Sequence, residues 1–279
     1  IRNITIIIAV AANNERCPMV REPKYPVQTV MKAIEIINLL AKEGGGQGLG
    51  VSEFSKELEM GKSTVHRLLD TLQFYGYIEK NEETCRYRLG WELYKIGQRI
   101  PQQNQLFNLN PSYMIELGRQ TQETVNLGIL KRNETVLISK IEGSRDALRV
   151  SVNPGEYESI HATGIGKVLI CEKNEKEIRE LLDNKEDLNV YTPHTISNTA
   201  DLLTELQRGR QQGYAVDAEE YCLGLYCIAM PVRDYTERII AAVSVSTPTV
   251  RMNEEKKQQI MNALKKCSHD ISKALGYSA

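Results

Sequence analysis

Apolar residues recur with helical spacing in the N-terminal third of the chain. They return every three or four positions over 28–41 and over 51–59, and a glycine-rich run at 44–48 separates the two segments. A third segment, 62–75, is amphipathic. Its apolar face holds Val65, Leu68, Leu69 and Leu72, and its polar face holds Ser63, His66, Arg67 and Asp70. The spacing predicts three helices, the last with hydrogen-bonding side chains on its outer face.

A short hairpin is predicted directly after the third helix. Residues 77–80 and 86–89 read as strands around the polar turn 81–84, and Lys80, Arg86 and Arg88 make the hairpin basic. Two short helices joined by a tight turn and followed by a basic hairpin are typical of a winged helix-turn-helix. Residues 91–99 predict a further helix, which we interpret as part of a linker at 91–104.

Strands and helices are interleaved in the rest of the chain. Helices are predicted over 111–121, 175–182, 200–212 and 253–275, and strands over 124–130, 135–142, 148–152, 225–232 and 238–246. Short links between the late strands favour antiparallel pairing. This part of the chain is therefore predicted to be an α+β domain built around an antiparallel sheet.

Length and composition fit an ordinary globular protein of two domains. The chain has 279 residues, of which 25% are charged, and a net charge of −1, so any DNA contact must come from a local basic surface. Six cysteines are scattered without a C-x-x-C pair. This spacing predicts reduced thiols in the cytoplasm, with no metal site and no cofactor.

Residues 1–24 carry no periodicity that relates them to the later helices. The apolar run 4–12 follows Arg2 and is too short to span a bilayer. A signal peptide is one interpretation; we favour an upstream extension, with Met19 as the natural start. We expect residues 1–24 to be disordered and expect no association with a membrane.

The predicted third helix supplies candidate DNA contacts. Its first residues, Gly61-Lys62-Ser63, also match the end of a phosphate-binding P-loop, but that motif requires glycine at position 56, where the chain has Lys56. Base edges specify sequence and phosphates position the protein. We assign Ser63, Thr64, His66 and Arg67 to the DNA groove and Lys62, Arg86 and Arg88 to phosphates.

Several ordered motifs resemble the IclR family of transcriptional regulators. GKSTVHRLL at 61–69 is similar to the K-S-T-x-x-R-L-L recognition segment of that family, and YPVQTV at 25–30 is similar to its lead-in to the first helix. HATGIGK at 161–167, GYAVDAEE at 213–220 and LGLYCIA at 223–229 resemble three signatures of its effector domain. Glu59 and Gly61 depart from the pattern, because the family often has Gly and Pro there.

The resemblance implies a domain order and partners. Expected are a disordered extension at 1–24, a winged helix-turn-helix of helices with a β wing at 25–90, the linker helix at 91–104, and a GAF-like effector domain at 105–279 with a central antiparallel sheet flanked by helices. One winged domain reads few base pairs. A homodimer or a dimer of dimers on a palindromic operator in double-stranded DNA is therefore expected, more often as a repressor.

The resemblance also implies an effector site for a small organic acid. The matching positions are Gly164, Ile165, Asp217, Cys227, Ser244 and Ser246. The backbone N–H groups at a helix start suit a carboxylate, and strand alternation puts both serines on one face, opposite Ile239, Ala241, Val243 and Val245. An ionised Asp217 repels an acid unless it accepts a hydroxyl hydrogen. A hydroxy-, keto- or sugar acid is favoured, with an aromatic acid as an alternative.

Other classes of function stay open on the sequence alone. An enzyme could use Cys227 or Ser244 as the nucleophile and His161 as the base, although no nucleophile-elbow pattern is present. A metal site of Cys222, Cys227 and His161 is a weaker alternative. The winged domain could also serve protein interactions only.

Overall fold

The computed structural model describes residues 7–9, 24–43, 47–100, 106, 109, 111–143, 149–151 and 153–278. Contacts divide the chain into two compact units, one of residues 21–108 and one of residues 109–279 together with 1–20. The first strand, β1 (Ile7–Ala9), belongs to the second of these units.

The unit of residues 21–108 consists of short helices and a two-stranded hairpin. Its elements are α1 (Gln28–Glu43), α2 (Val51–Glu57), α3 (Lys62–Phe74), β2 (Ile78–Lys80), β3 (Tyr87–Leu89) and α4 (Trp91–Gly97). The helices pack because their apolar stripes share one core, in which Ile36, Phe54, Val65, Leu69 and Ile78 are fully buried. The predicted helices and hairpin are present, with α2 two residues shorter than expected.

The turn between α2 and α3 explains the early end of α2. Glu59 has φ 50°, in the left-handed region that favours glycine. This is the position at which the IclR pattern often has glycine. Gly61 then precedes α3 with φ −61° in extended backbone. The two departures from the pattern therefore keep a tight helix-turn-helix connection.

The second unit is built on a six-stranded antiparallel sheet of strand order β7-β5-β4-β10-β9-β8. Its strands are β4 (Thr124–Lys131), β5 (Glu134–Ile141), β7 (Tyr157–Glu158), β8 (Ala215–Ala218), β9 (Leu225–Arg233) and β10 (Ile239–Pro248). The short β7 and β8 were not predicted, because two to four residues give no readable alternation.

Helices cover both faces of this sheet. They are α5 (Ser112–Thr121), α6 (Gly164–Ile170), α7 (Glu175–Leu181), α8 (Thr199–Gln212) and α9 (Glu254–Ala274). Helix α6 packs on one face against β4, β9 and β10, and α5 and α9 pack against the sheet and each other. The predicted α+β fold with an antiparallel sheet flanked by helices is confirmed.

One predicted strand face needs correction. The pairing of β10 with β9 shifts between Ile239 and Ala241, which is a β-bulge. As a result, Ile239 packs with the α6-side cluster instead of sharing the face of Ala241. The rest of β10 follows the expected alternation, because Ser244 and Ser246 lie on the α6 side.

The N-terminal segment differs in one place from the expected disorder. Strand β1 pairs in parallel with β6 (Arg149–Ser151), and Ile8 lies opposite Val150. The remainder of the predicted extension, except for Lys24, lies outside the described residues, as do residues 101–104 of the predicted linker.

Candidate functional site: an exposed helix face and a polar cavity

Helix α3 carries an exposed polar surface. Ser63, Thr64, His66 and Arg67 are exposed, while Val65, Leu68 and Leu69 of the same helix are buried in the core. Lys62 is exposed at the first turn. The helical spacing in the sequence was therefore sufficient to predict that these side chains face away from the core.

The two hairpin arginines differ in what they contact. Arg86 Nε donates to Gly48 O at 2.9 Å, and its Nη2 donates to Glu53 Oε1 at 2.8 Å. Glu53 Oε2 in turn accepts from Gly50 N at 2.7 Å, so Arg86 ties the hairpin to the start of α2. Arg88 is 66% exposed and pairs with Glu79 on the hairpin surface. Such an exposed pair is weak, and Arg88 can exchange it for a phosphate at little cost.

The second unit contains a polar cavity between the sheet and the start of α6. All six predicted effector residues line it: Gly164, Ile165, Asp217, Cys227, Ser244 and Ser246. Five further residues line it as well: Asn126, Glu158, Thr163, Tyr221 and Leu225. No lysine, arginine or histidine is among these lining residues.

Strand register explains why distant positions meet in the polar cavity. Cys227 on β9 lies opposite Asp217 on β8 and opposite Ser246 on β10. One row further along the sheet, Ser244 lies opposite Asn126 on β4. Because successive side chains alternate between faces, residues two apart on β10 present their hydroxyls to the same side.

The glycines of the G-I-G segment allow α6 to start close to the sheet. A Cβ atom at Gly164 would lie 3.4 Å from the Ala229 Cβ, and one at Gly166 would lie 2.5 Å from the Ile160 backbone. Thr163 caps the helix, and its Oγ1 accepts from Gly166 N at 3.1 Å. Within the described chain, no acceptor is recorded for the N–H groups of Gly164 and Ile165.

The polar cavity contains two buried carboxyl groups. Burial raises the pKa of Glu158 to about 8, helped by the nearby charge of Asp217. Burial likewise raises the pKa of Asp217 to about 7, although its Oδ1 accepts from Glu220 N at 2.7 Å and from Tyr221 N at 3.3 Å. Glu158 is therefore largely protonated at neutral pH.

The two serines of β10 have different surroundings. Ser246 Oγ accepts from Asn126 Nδ2 at 3.1 Å and from Cys227 Sγ at 3.1 Å. Among the described residues, the Ser244 hydroxyl has no recorded hydrogen-bond partner, although the side chain is only 2% exposed. Asn126 Oδ1 is also buried without a partner in the described chain. Ser244 and Asn126 therefore keep hydrogen-bonding capacity for a ligand.

The geometry does not assemble a nucleophile and a base. His161 lines a different, surface pocket, where its Nδ1 lies 2.7 Å from Ser159 Oγ and its Nε2 lies 2.9 Å from Asn189 O. Burial raises the pKa of Cys227 well above its ordinary value, which keeps the thiol protonated. In the described parts of the chain, no three His, Cys, Asp or Glu residues are placed to hold a metal ion.

Known proteins match the chain over both units. Residues 98–273 match the family described as bacterial transcriptional regulator IclR C-terminal, and residues 29–82 match the IclR helix-turn-helix domain. The chain belongs to the IclR family. It is a DNA-binding transcriptional regulator with an effector-binding C-terminal domain, and it is not an enzyme.

Individual IclR-family relatives cover nearly the whole chain. The transcriptional regulator XynR of Escherichia coli K12 is 37% identical over 253 residues, 91% of this chain and 99% of that protein. The transcriptional repressor AllR of the same strain is 31% identical over 252 residues, 90% of this chain and 92% of that protein. The crystal structure of Thermotoga maritima IclR superposes with a TM-score of 0.75 at 29% identity, covering 89% of this chain and 99% of that one.

Family membership makes the C-terminal unit the effector domain, and the sequence missed five residues that line its polar cavity. Glu158 lies three residues before the HATGIGK motif, on the two-residue strand β7, and Asn126 lies on β4 far from every quoted motif. Proximity to the motif could have suggested Glu158, whereas Asn126 gave no local signal. Within the described parts of the chain, no helix combines the length and hydrophobicity that crossing a bilayer demands.

Proposed function

We propose that this IclR-family regulator is a repressor, which binds a palindromic operator as a homodimer or a dimer of dimers and is controlled by a small carboxylic acid in the polar cavity. It acts in the cytoplasm, where the operator DNA is. Repression is supported by the likeness to AllR, which is named a repressor. Dimeric binding is supported by the small exposed surface of α3, since one such helix reads only a few base pairs.

The convergence of the six predicted effector residues on the polar cavity is the observation that carries the effector proposal. Backbone N–H groups of Gly164 and Ile165 and the hydroxyl of Ser244 are donors that suit a carboxylate. Helix α6 has only seven residues, so these individual N–H groups matter more than a helix dipole. The cavity offers no basic side chain among its lining residues, so the acid is held by hydrogen bonds instead of an ion pair.

The acceptors in the polar cavity favour an acid that also carries hydroxyl groups. Asn126 Oδ1 is buried without a partner in the described chain. Asp217 accepts its two hydrogen bonds there through Oδ1, so its Oδ2 is available to a ligand. A buried acceptor left without a donor costs about 1–3 kcal/mol, which a ligand hydroxyl recovers. A sugar acid or another hydroxy acid therefore fits better than a fatty acid.

On the DNA side, we propose that Ser63, Thr64, His66 and Arg67 read base edges. Lys62 and Arg88 contact phosphates, and Arg86 acts by holding the hairpin against α2. Arg86 is separated from Lys62 and Arg88 because it already donates to Gly48 and Glu53 and has fewer donors left for a phosphate.

Two linked measurements test this function. A gel shift with DNA from upstream of the protein's own gene is expected to show a sequence-specific complex, with a scrambled duplex of equal length as the control. Small hydroxy acids are then added, and one of them is expected both to release the DNA and to raise the melting temperature of the protein. Sequence-independent DNA binding that no acid alters would contradict the proposal.

A further inference from the structure

Glu158 is an unusual side chain to find in a cavity that receives an acid. It ends β7, where the neighbouring Tyr157 is exposed and Glu158 is only 8% exposed. Glu158 is one of the residues that line the polar cavity, and its carboxyl group has no hydrogen bond or ion pair within the described chain. Opposite it in the β5–β7 pair is Thr135, whose own hydroxyl is buried without a partner in the described residues.

Among the described residues, the groups that act electrostatically on Glu158 are acidic or neutral. The charge of Asp217 on β8 raises the pKa of Glu158, and so does the charge of Glu156, which lies just before β7. Tyr221 and Cys227 are the other titratable groups in range, and both feel the charge of Glu158. The buried lysine of α6, Lys167, already donates to Glu220 Oε1 at 2.6 Å. An ionised Glu158 would therefore meet an acid ligand as a second, uncompensated negative charge.

We propose that Glu158 enters the effector complex as a neutral carboxyl group and donates its hydrogen to an oxygen of the effector, so that effector binding requires a proton on Glu158. This rests on the proposed function, in which the effector is a carboxylic acid. Where Glu158 is ionised in the free protein, one proton is taken from solvent on binding and none is transferred to the ligand. Glu158 thereby selects against effectors that have no hydrogen-bond acceptor within reach of its carboxyl group.

The coupling between proton binding at Glu158 and effector binding determines how strongly the affinity depends on pH. Burial puts the pKa of Glu158 at about 8 in the free protein, so affinity is nearly constant below pH 7. Above pH 8 the protonated fraction of Glu158 falls about tenfold for each pH unit, and the affinity for the effector at pH 9 is expected to be about tenfold lower than at pH 6. Asp217, with a pKa of about 7, is the competing source of pH dependence.

The test is a thermal-shift titration of the full chain at pH 6 and pH 9. The probes are D-gluconate, D-galacturonate and 2-oxobutyrate, with D-glucitol as a neutral match for D-gluconate. Whichever acid stabilises the wild type is expected to bind about tenfold more weakly at pH 9. In Glu158→Gln, which keeps a neutral donor, the ratio is expected to fall below twofold. In Asp217→Asn the ratio is expected to stay at about tenfold or more, because loss of the Asp217 charge lowers the pKa of Glu158 and leaves less of it protonated at pH 9.

Each other outcome contradicts the inference. Equal affinity at both pH values, or loss of the dependence in Asp217→Asn alone, would show that the proton is not on Glu158. If none of the three acids stabilises the protein at either pH, the proposed function fails and this inference fails with it. Calorimetry of the wild type alone, at pH 8 in phosphate and in Tris, is independent of how the variants fold. It is expected to show uptake of about half a proton, and no uptake would overturn the inference.

Discussion

Lys167 Nζ donates a hydrogen bond to Glu220 Oε1 across 2.6 Å in the interior of the effector domain. Lys167 lies on α6, and Glu220 follows β8, where its backbone N–H donates to Asp217. The ion pair therefore joins the helix and the loop that form two walls of the polar cavity. Both side chains are almost fully buried, at 1% and 11% exposure, so neither charge has water as an alternative partner.

Removing one member of this pair is expected to be costly. Lys167→Met leaves the Glu220 carboxylate buried without its cation, and we expect a loss of about 3–5 kcal/mol in the free energy of unfolding. The double variant Lys167→Met with Glu220→Gln removes both charges and is expected to recover most of that loss. Denaturant titration of both variants makes the comparison. Equal losses in the two variants would mean that Lys167 stabilises by packing alone.

Stability is expected to depend on pH through Glu158. Its pKa is about 8 in the folded domain and close to 4.5 when unfolded, so the folded state holds the proton more tightly. Its contribution is fully present below pH 4.5 and is lost as the pH rises through about 8, by up to about 1.4 kcal/mol for each unit. Ligand-free wild type should therefore lose melting temperature between pH 5 and pH 8 faster than Glu158→Gln. Parallel curves for the two proteins would contradict the raised pKa.

Local patterns predicted the elements well, and long-range partners marked the limit of prediction. Helix α3 and the serine face of β10 follow from spacing within a dozen residues. The commitment of Arg86 to Glu53 depends on a partner 33 positions away, and the difference between Ser244 and Ser246 depends on Asn126, 120 positions before Ser246. Register between strands decides such partners, and the sequence of one strand does not contain it.

Substitution of Arg67 is expected to weaken operator binding, whereas substitution of Arg86 is expected to lower the melting temperature. Arg67 is exposed on α3, and if it makes a bidentate base contact, Arg67→Ala should weaken specific operator binding by about 1–3 kcal/mol without changing the melting temperature. Arg86→Ala should lower the melting temperature, because it removes the link between the hairpin and Glu53. Footprinting and thermal melts of both variants separate the two roles. An unchanged footprint for Arg67→Ala would exclude that residue from recognition.

Glycine at position 59 is expected to stabilise the DNA-binding unit. Glu59 has φ 50° and is exposed, so Glu59→Gly relieves backbone strain without removing a packed side chain. After the extra flexibility of glycine in the unfolded chain is subtracted, a gain of about 0.5–1 kcal/mol is expected. Glu57→Gly, two residues earlier in the last turn of α2, is the matched control and should lose about 0.5–1 kcal/mol. The same sign for both variants in denaturant titrations would refute the assignment of strain to position 59.

Ser244 and Ser246 are expected to separate ligand binding from structure. Ser244 lines the polar cavity without a recorded partner among the described residues, so its hydroxyl is available to the effector. Ser244→Ala should therefore weaken effector binding by about 1.5–3 kcal/mol, the value of a hydrogen bond to a charged group, with little change in melting temperature. Ser246→Ala removes the acceptor used by Asn126 and Cys227, and it should lower the melting temperature even without effector.

Effector titrations of operator complexes, read beside thermal melts of both variants, measure the two effects. If Ser244→Ala responds to the effector at the wild-type concentration, the acid binds outside this cavity. If it instead melts early, the hydroxyl has a structural partner and the effector is held by other donors.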